Sequence, residues 1–371
     1  MTYKMIQVGS GGFAKSWCRD FLPPNVDDGL IEVVAAVDIN PEALRNAQEG
    51  LGLRPDQCYT DMQKAFRENK ADFCTVVVPP AFHEHVVDLA LENDMNILSE
   101  KPIADTLTAS VRIAHKVRQA GKKMGVTMSH RFRQDITTLR HELRSGRDGE
   151  LDHLVCSNTC AQARVRPRVW RFDSPYSYMV DTVIHHLDLL ADLGGAKCDT
   201  IYAQTWRPPW SEYVAHSQGL VIMLLENGKR VTYEAGHTNA VGLHCWGEEY
   251  IRAECDKSIL IMDHGRLQRV KHNASAEGPS RTGYWEKSKN RQVDRQHGEE
   301  VPLMEQRKWA NTWLIEKFVQ WLDGGQPMET NVEDNLQSTA MIFGAIQSSQ
   351  TGQPVKVQEL LDRSHREAEA K

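Results

Sequence analysis

Between residues 4 and 128 short apolar runs alternate with longer stretches of helical periodicity, and no other feature of the chain limits its fold so tightly. The runs are 5–8, 31–37, 73–78, 96–98 and 123–128; the helical stretches are 12–21, 41–50, 62–69, 83–93 and 107–121. Strands separated by a helix pair in parallel, because the connection must cross from one end of the sheet to the other. The expectation is an α/β fold opening with a doubly wound parallel sheet, the Rossmann arrangement.

After Arg147 the character changes, and later apolar residues alternate with period two. Residues 220–225 and 230–235 flank Glu226-Asn227-Gly228-Lys229, which reads as a hairpin closed by a tight primed turn. Helices are expected over 304–322, carrying Trp309, Trp313 and Phe318, and over 333–350, with Gly352 and Pro354 as stop signals. The polar segment 271–298 reads as a loop, either a lid or an interface arm. The expected organisation is a dinucleotide-binding domain over 1–128 and a second domain over 129–371 for substrate binding and oligomerisation. The chain's 371 residues are enough for two cores.

Composition removes several classes of partner. Lys and Arg total 44 against 50 Asp and Glu, a net charge of -6 with no basic stripe, so nucleic acid is excluded. No apolar stretch is long enough to span a membrane, and a cytoplasmic protein is expected. The eight cysteines form no C-x-x-C pair, which fits reduced thiols; Cys156 and Cys160 read as packing residues.

The first apolar run leads into Gly9-Ser10-Gly11-Gly12-Phe13-Ala14, a G-x-G-x-x-A turn between strand and helix. Glycines there let the backbone approach a pyrophosphate. Asp38 ends the second run, where a carboxylate accepts the ribose hydroxyls and repels a 2′-phosphate; the cofactor expected is NAD rather than NADP. Pro79 and His83 follow the third run and Glu100-Lys101-Pro102 the fourth, at the strand ends where a crevice opens. In the second domain Asp181 and His185 are four residues apart, a spacing that lets a carboxylate orient an imidazole acting as proton acceptor. No metal is expected at His185, His186 and Asp188, since adjacent helix residues point to different faces.

These motifs, with Ser129-His130-Arg131-Phe132, Trp170-Arg171 and the tail 333–355, resemble the glucose-fructose oxidoreductase and inositol dehydrogenase family (Gfo/Idh/MocA). The resemblance implies a C-terminal α/β domain with a large open, mainly antiparallel sheet that forms homodimers or homotetramers. It also implies an oxidoreductase for sugars, polyols or glycosides. Lys101, Asp181 and His185 would be catalytic, and Lys101 would also face the cofactor. Arg131, Trp170, Arg171 and His186 would touch the substrate. Two departures lie beside that site: Ser174-Pro175-Tyr176-Ser177-Tyr178-Met179-Val180 replaces a glycine-rich run, and Val183 stands where glycine is common in the family. Arg164, Arg166, Arg168 and Arg171 cluster just upstream and raise an acidic substrate as a further option. Two other functions share this architecture: a redox-neutral NAD-dependent glycoside hydrolase or lyase, and a non-catalytic nucleotide-binding regulator.

Overall fold

The computed structural model describes residues 1–161, 172–173, 178–271 and 298–370. Its first sheet has six parallel strands in the order β3-β2-β1-β4-β5-β6: β1 (Tyr3–Val8), β2 (Ile31–Val37), β3 (Cys58–Tyr59), β4 (Phe73–Val76), β5 (Asn96–Ser99) and β6 (Met124–Val126). The order reverses between β1 and β4, and the loops after these two strands border the crevice. The crossover helices α1 (Ala14–Ser16), α2 (Pro23–Asp27), α3 (Arg45–Leu51), α4 (Met62–Glu68), α5 (His83–Glu92) and α6 (Leu107–Gln119) cover the sheet. Strand β4 is buried at every position, as a central strand covered on both faces must be.

Two expected helices are shortened. The 12–21 stretch is one α-helical turn followed by a π-helical turn, Trp17–Phe21, and the 41–50 stretch begins only at Arg45. In the first case Trp17 is buried completely, with its indole N–H on Glu100 Oε1 at 3.0 Å. Such π-helical turns are rare and occur mostly as single-turn insertions within α-helices.

The second sheet has nine strands, mostly antiparallel, in the order β14-β13-β12-β11-β7-β10-β9-β8-β15. They are β7 (Leu151–Thr159), β8 (Cys198–Trp206), β9 (Gln218–Leu225), β10 (Arg230–Gly236), β11 (Tyr250–Cys255), β12 (Ser258–Asp263), β13 (Arg266–Lys271), β14 (Glu299–Val301) and β15 (Val355–Lys356). The β9–β10 hairpin forms as expected, but its turn differs. Gly228 alone takes a positive φ, +82°, and Leu225 N–H donates to Lys229 O at 2.9 Å. A primed two-residue turn over Asn227-Gly228 needs a positive φ at Asn227, which it lacks, so the loop closes one residue later with glycine in the left-handed position.

Helices α7 (Gln134–Arg144), α8 (Ile184–Gly194), α9 (Ala310–Leu322), α10 (Val332–Thr351) and α11 (Val357–Glu369) complete the fold. Helix α8 is buried along almost its whole length between β7, β10 and α10, with His185, His186 and Asp188 among the buried residues. Expected to begin near residue 304, α9 starts at Ala310 and packs on the first domain, where Phe318 meets Phe73 edge-on at 5.3 Å. Helix α10 is capped by Asn331, whose side-chain Oδ1 accepts from the N–H groups of Glu333 and Asp334, and ends at Gly352 with φ +68°. Just before it, Val126 N–H donates to Thr330 O and Thr330 Oγ1 donates to Val126 O, each at 2.8 Å. No described helix is long and apolar enough to cross a membrane.

Candidate active site

The glycine turn is built around close backbone approach. Gly9 has φ +93°, and a Cβ there would lie 2.1 Å from Val77 O. Beneath it Gln7 donates to Gly9 O at 2.7 Å and accepts from Thr75 Oγ1 at 2.6 Å, a buried pair that fixes the strand ends under the loop. Asp38 Oδ2 accepts from the N–H groups of Ser10 at 2.7 Å and Gly11 at 3.0 Å. Asp38 Oδ1 accepts from Asn40 N at 2.9 Å. Phe13 is half exposed at the mouth, Pro79 is exposed, and Ala14 is buried. Ser10 Oγ is buried without a hydrogen-bond partner among the described residues. A turn only glycine can form, an orphaned hydroxyl and a fixed carboxylate together fit a dinucleotide's pyrophosphate and ribose.

His83 and Glu100 stand behind this surface instead of on it. His83 is fully buried, its ring nitrogens 2.8 Å from Val78 O and 3.2 Å from Ile103 O, so it ties two crevice loops together. Burial holds its pKa below the usual histidine value. The Glu100 carboxylate is also buried, which raises its pKa, and it accepts from Trp17 and from Lys101 N–H. Both were expected to touch the cofactor; both brace the backbone that would.

Lys101 is different. Its ammonium crosses to the second domain and donates to Asp181 Oδ1 at 2.7 Å and to Asp181 O at 2.8 Å. The sequence spacing had suggested that Asp181 would orient His185. The structure instead places Asp181 in a π-helical turn, Met179–Val183, that precedes α8 and displaces the usual i, i+4 stacking. The His185 ring is buried, and its Nδ1 has no hydrogen-bond partner among the described residues. Burial, followed by the nearby Lys101 charge, holds its pKa well below the usual histidine value, so the ring is neutral at pH 7.

Two residues expected to touch substrate are engaged elsewhere. Arg131 makes a bidentate pair with the buried Asp188, Nε to Oδ2 at 2.5 Å and Nη2 to Oδ1 at 2.8 Å. His186 has no exposed surface; its Nδ1 lies 2.9 Å from Tyr233 OH and its Nε2 3.2 Å from Glu249 Oε1. Trp170 and Arg171 lie outside the described residues, as do Arg164, Arg166, Arg168, the stretch 174–177 and most of the 271–298 segment.

Around His185 the structure adds residues the sequence reading passed over. His130, with its pKa pushed down to about 4 by burial, lies 5.0 Å from the His185 ring. Trp246, 43% exposed, has its ring 3.9 Å from His130 and 5.1 Å from His185, edge-on to the latter. Burial pushes the Glu249 pKa up, but hydrogen bonds from His130 and His186 and the charge of Arg133 outweigh it and hold the carboxyl well below the usual range. Only His130 lay within a quoted motif. Trp246 and Glu249 have no sequence signal beyond a Gly247 turn.

A parallel sheet with a glycine-turn crevice, joined to a mostly antiparallel sheet whose packed helix α8 carries the imidazole of His185, defines a dinucleotide-dependent oxidoreductase. Residues 4–128 match the NAD-binding Rossmann fold of the GFO_IDH_MocA oxidoreductase family, and residues 161–357 match its C-terminal alpha/beta domain. The chain belongs to this family. It is 47% identical to the uncharacterized protein y4oX of Sinorhizobium fredii over 97% of both chains. It is 30% identical to inositol 2-dehydrogenase of Corynebacterium glutamicum over 53% of this chain and 57% of that protein. An oxidoreductase from Agrobacterium radiobacter, solved with NAD+, L-tartaric acid and magnesium, shares the fold with a TM-score of 0.79 at 18% identity, covering 96% of this chain and 99% of that one.

Proposed function

We propose that this chain is a dehydrogenase, or the corresponding reductase, moving a hydride between NAD(H) and a hydroxyl or ketone carbon of a sugar, polyol or glycoside. The observation that carries the reading is the Lys101–Asp181 bridge across the domain junction, with the His185 imidazole close enough to feel the Lys101 charge. Bound dinucleotide supplies the hydride acceptor or donor. An ammonium has three N–H donors, and Lys101 commits two to Asp181, leaving one for the substrate oxygen. In the oxidative direction that third donor stabilises the charge growing on the oxygen, and His185 takes the hydroxyl proton. The name of the Corynebacterium relative supports a ring polyol as substrate class. Asp38, held in place by three backbone N–H groups, supports NAD over NADP.

The open face of the second sheet supports a homo-oligomer. Leu220, Ile222 and Leu224 project from β9 in one row, 52%, 53% and 38% exposed, as solvent-facing positions of a lone sheet rarely are. Light scattering on the wild type and on Ile222→Lys tests this, and a wild-type monomer sinks it.

The activity test is absorbance in the reduced-nicotinamide band, with NAD and a panel of inositols, aldoses, glycosides and sugar acids. A rise with one class establishes the reaction and its substrate. Silence in both directions, NAD with alcohols and NADH with keto-sugars, overturns it.

A further inference from the structure

The proposed hydride chemistry leaves unused the most concentrated group of metal-ligating side chains among the described residues. His130 comes from the turn after β6, His186 from α8, and Glu249 from the residue before β11. One ligand atom from each lies within 4.8 Å of the others, and all three side chains are buried. Nε2 of His130 and Nε2 of His186 are both 3.2 Å from a single oxygen, Glu249 Oε1.

We propose that His130, His186 and Glu249 bind one divalent transition-metal ion of the zinc class. Zinc bonds to imidazole nitrogen and carboxylate oxygen are about 2.0–2.2 Å, so tetrahedral geometry puts neighbouring ligand atoms roughly 3.3 Å apart. The two nitrogen–oxygen spacings, 3.2 Å each, are close to that length. Two imidazoles with one carboxylate select zinc, cobalt or nickel over magnesium and calcium, which favour oxygen ligands. Three protein ligands leave a fourth position for water.

The surroundings already orient the ligands. Tyr233 OH lies 2.9 Å from His186 Nδ1 and turns the Nε2 edge toward Glu249. Gly247 N donates to Glu249 Oε1 at 3.0 Å, and Arg133 Nη1 donates to the other oxygen, Oε2, at 2.6 Å. Arg133 is a positive group beside the site, with Nη1 3.4 Å from His130 Nε2, yet it is paired with both Glu249 and Asp135. Two carboxylates against one guanidinium leave this buried set with an excess negative charge, so a divalent ion does not enter a positive pocket. The ion would pin the loop carrying Trp246 to the floor beneath His185.

The test is metal content and cobalt spectroscopy on the full-length chain, neither of which depends on turnover or on the dehydrogenase assignment. After desalting in zinc, the wild type is expected to retain about one equivalent per chain, and the chelator-stripped protein to develop visible absorption bands on adding cobalt(II). His186→Ala and Glu249→Gln are expected to lose both signals, while His153→Ala, altered at a surface histidine, keeps them. A wild-type chain that retains no zinc and stays colourless with cobalt overturns the proposal, however the variants fold. Equal retention by the wild type and a folded Glu249→Gln also overturns it.

Discussion

The two sides of the domain junction are built in opposite ways. On the cofactor side, Gly9, Asp38 and Lys101 each sit at the carboxyl end of a parallel strand, and the strand order alone brings them to one crevice. On the floor of the second domain, His130, His186, Tyr233 and Glu249 come from four separate elements and meet only in the folded core. The first side is a consequence of topology and tolerates change between its fixed points. The second is a consequence of packing, where each partner leaves another buried group exposed to loss.

The largest expected effect tests whether each side supplies one essential group. Lys101→Ala and His185→Ala are each expected to lower turnover by about 10²–10⁴-fold, the usual worth of a positioned proton-transfer group. NAD affinity, read by fluorescence titration, should stay nearly constant in both. Full turnover in either variant would remove that residue from the reaction.

A second experiment sharpens the claim that the floor is held by packing. Arg131→Ala leaves Asp188 buried with Ser338 and Asn335 as its remaining side-chain partners among the described residues. Losing one member of a buried ion pair costs roughly 3–5 kcal/mol, measurable by urea unfolding. A loss below 1 kcal/mol would show that the pair is solvated enough to be optional.

On the crevice side the expected change is smaller and selective. Asp38→Ser is expected to move the NAD-to-NADP preference by about tenfold or more toward NADP, roughly 1.4 kcal/mol, through relief of carboxylate–phosphate repulsion. An unchanged ratio would mean that Asp38 serves the glycine turn alone.

The smallest effect lies away from both sides, where His115 of α6 and His365 of α11 meet with nitrogens 3.0 Å apart. Burial, then the Arg118 charge and His365, hold the His115 pKa below its ordinary 6.5 in the folded chain. The unfolded chain therefore binds a proton first as pH falls, and stability declines from about pH 6.5 down to the folded pKa. His115→Asn should show a smaller drop in Tm between pH 7.5 and 5.5 than the wild type. An identical drop would place the acid sensitivity in other buried histidines.

The contrast also explains what could be read from the chain in advance. Alternation of apolar runs and helical periods dictated the parallel sheet, and Glu100-Lys101-Pro102 after the fourth run put Lys101 in the crevice, because both depend on neighbours in sequence. Asp181 pairs with Lys101 and not with His185, because a π-turn changes which residues stack and no local pattern announces it. The Gly228 turn was read as primed from its Asn-Gly pair, though the loop length favoured a bulge. His130 and Glu249 are 119 residues apart, and nothing along the chain links them. His186 invited a substrate role because its neighbour earns one, yet adjacent helix residues face different surroundings.

The double hydrogen bond between Val126 and Thr330 joins the strand that leaves the first domain to the segment that comes back toward it. Helix α6 of the first domain is packed against α10 and α11 of the second as well, so the two halves are sewn along a seam and do not hang from a single thread.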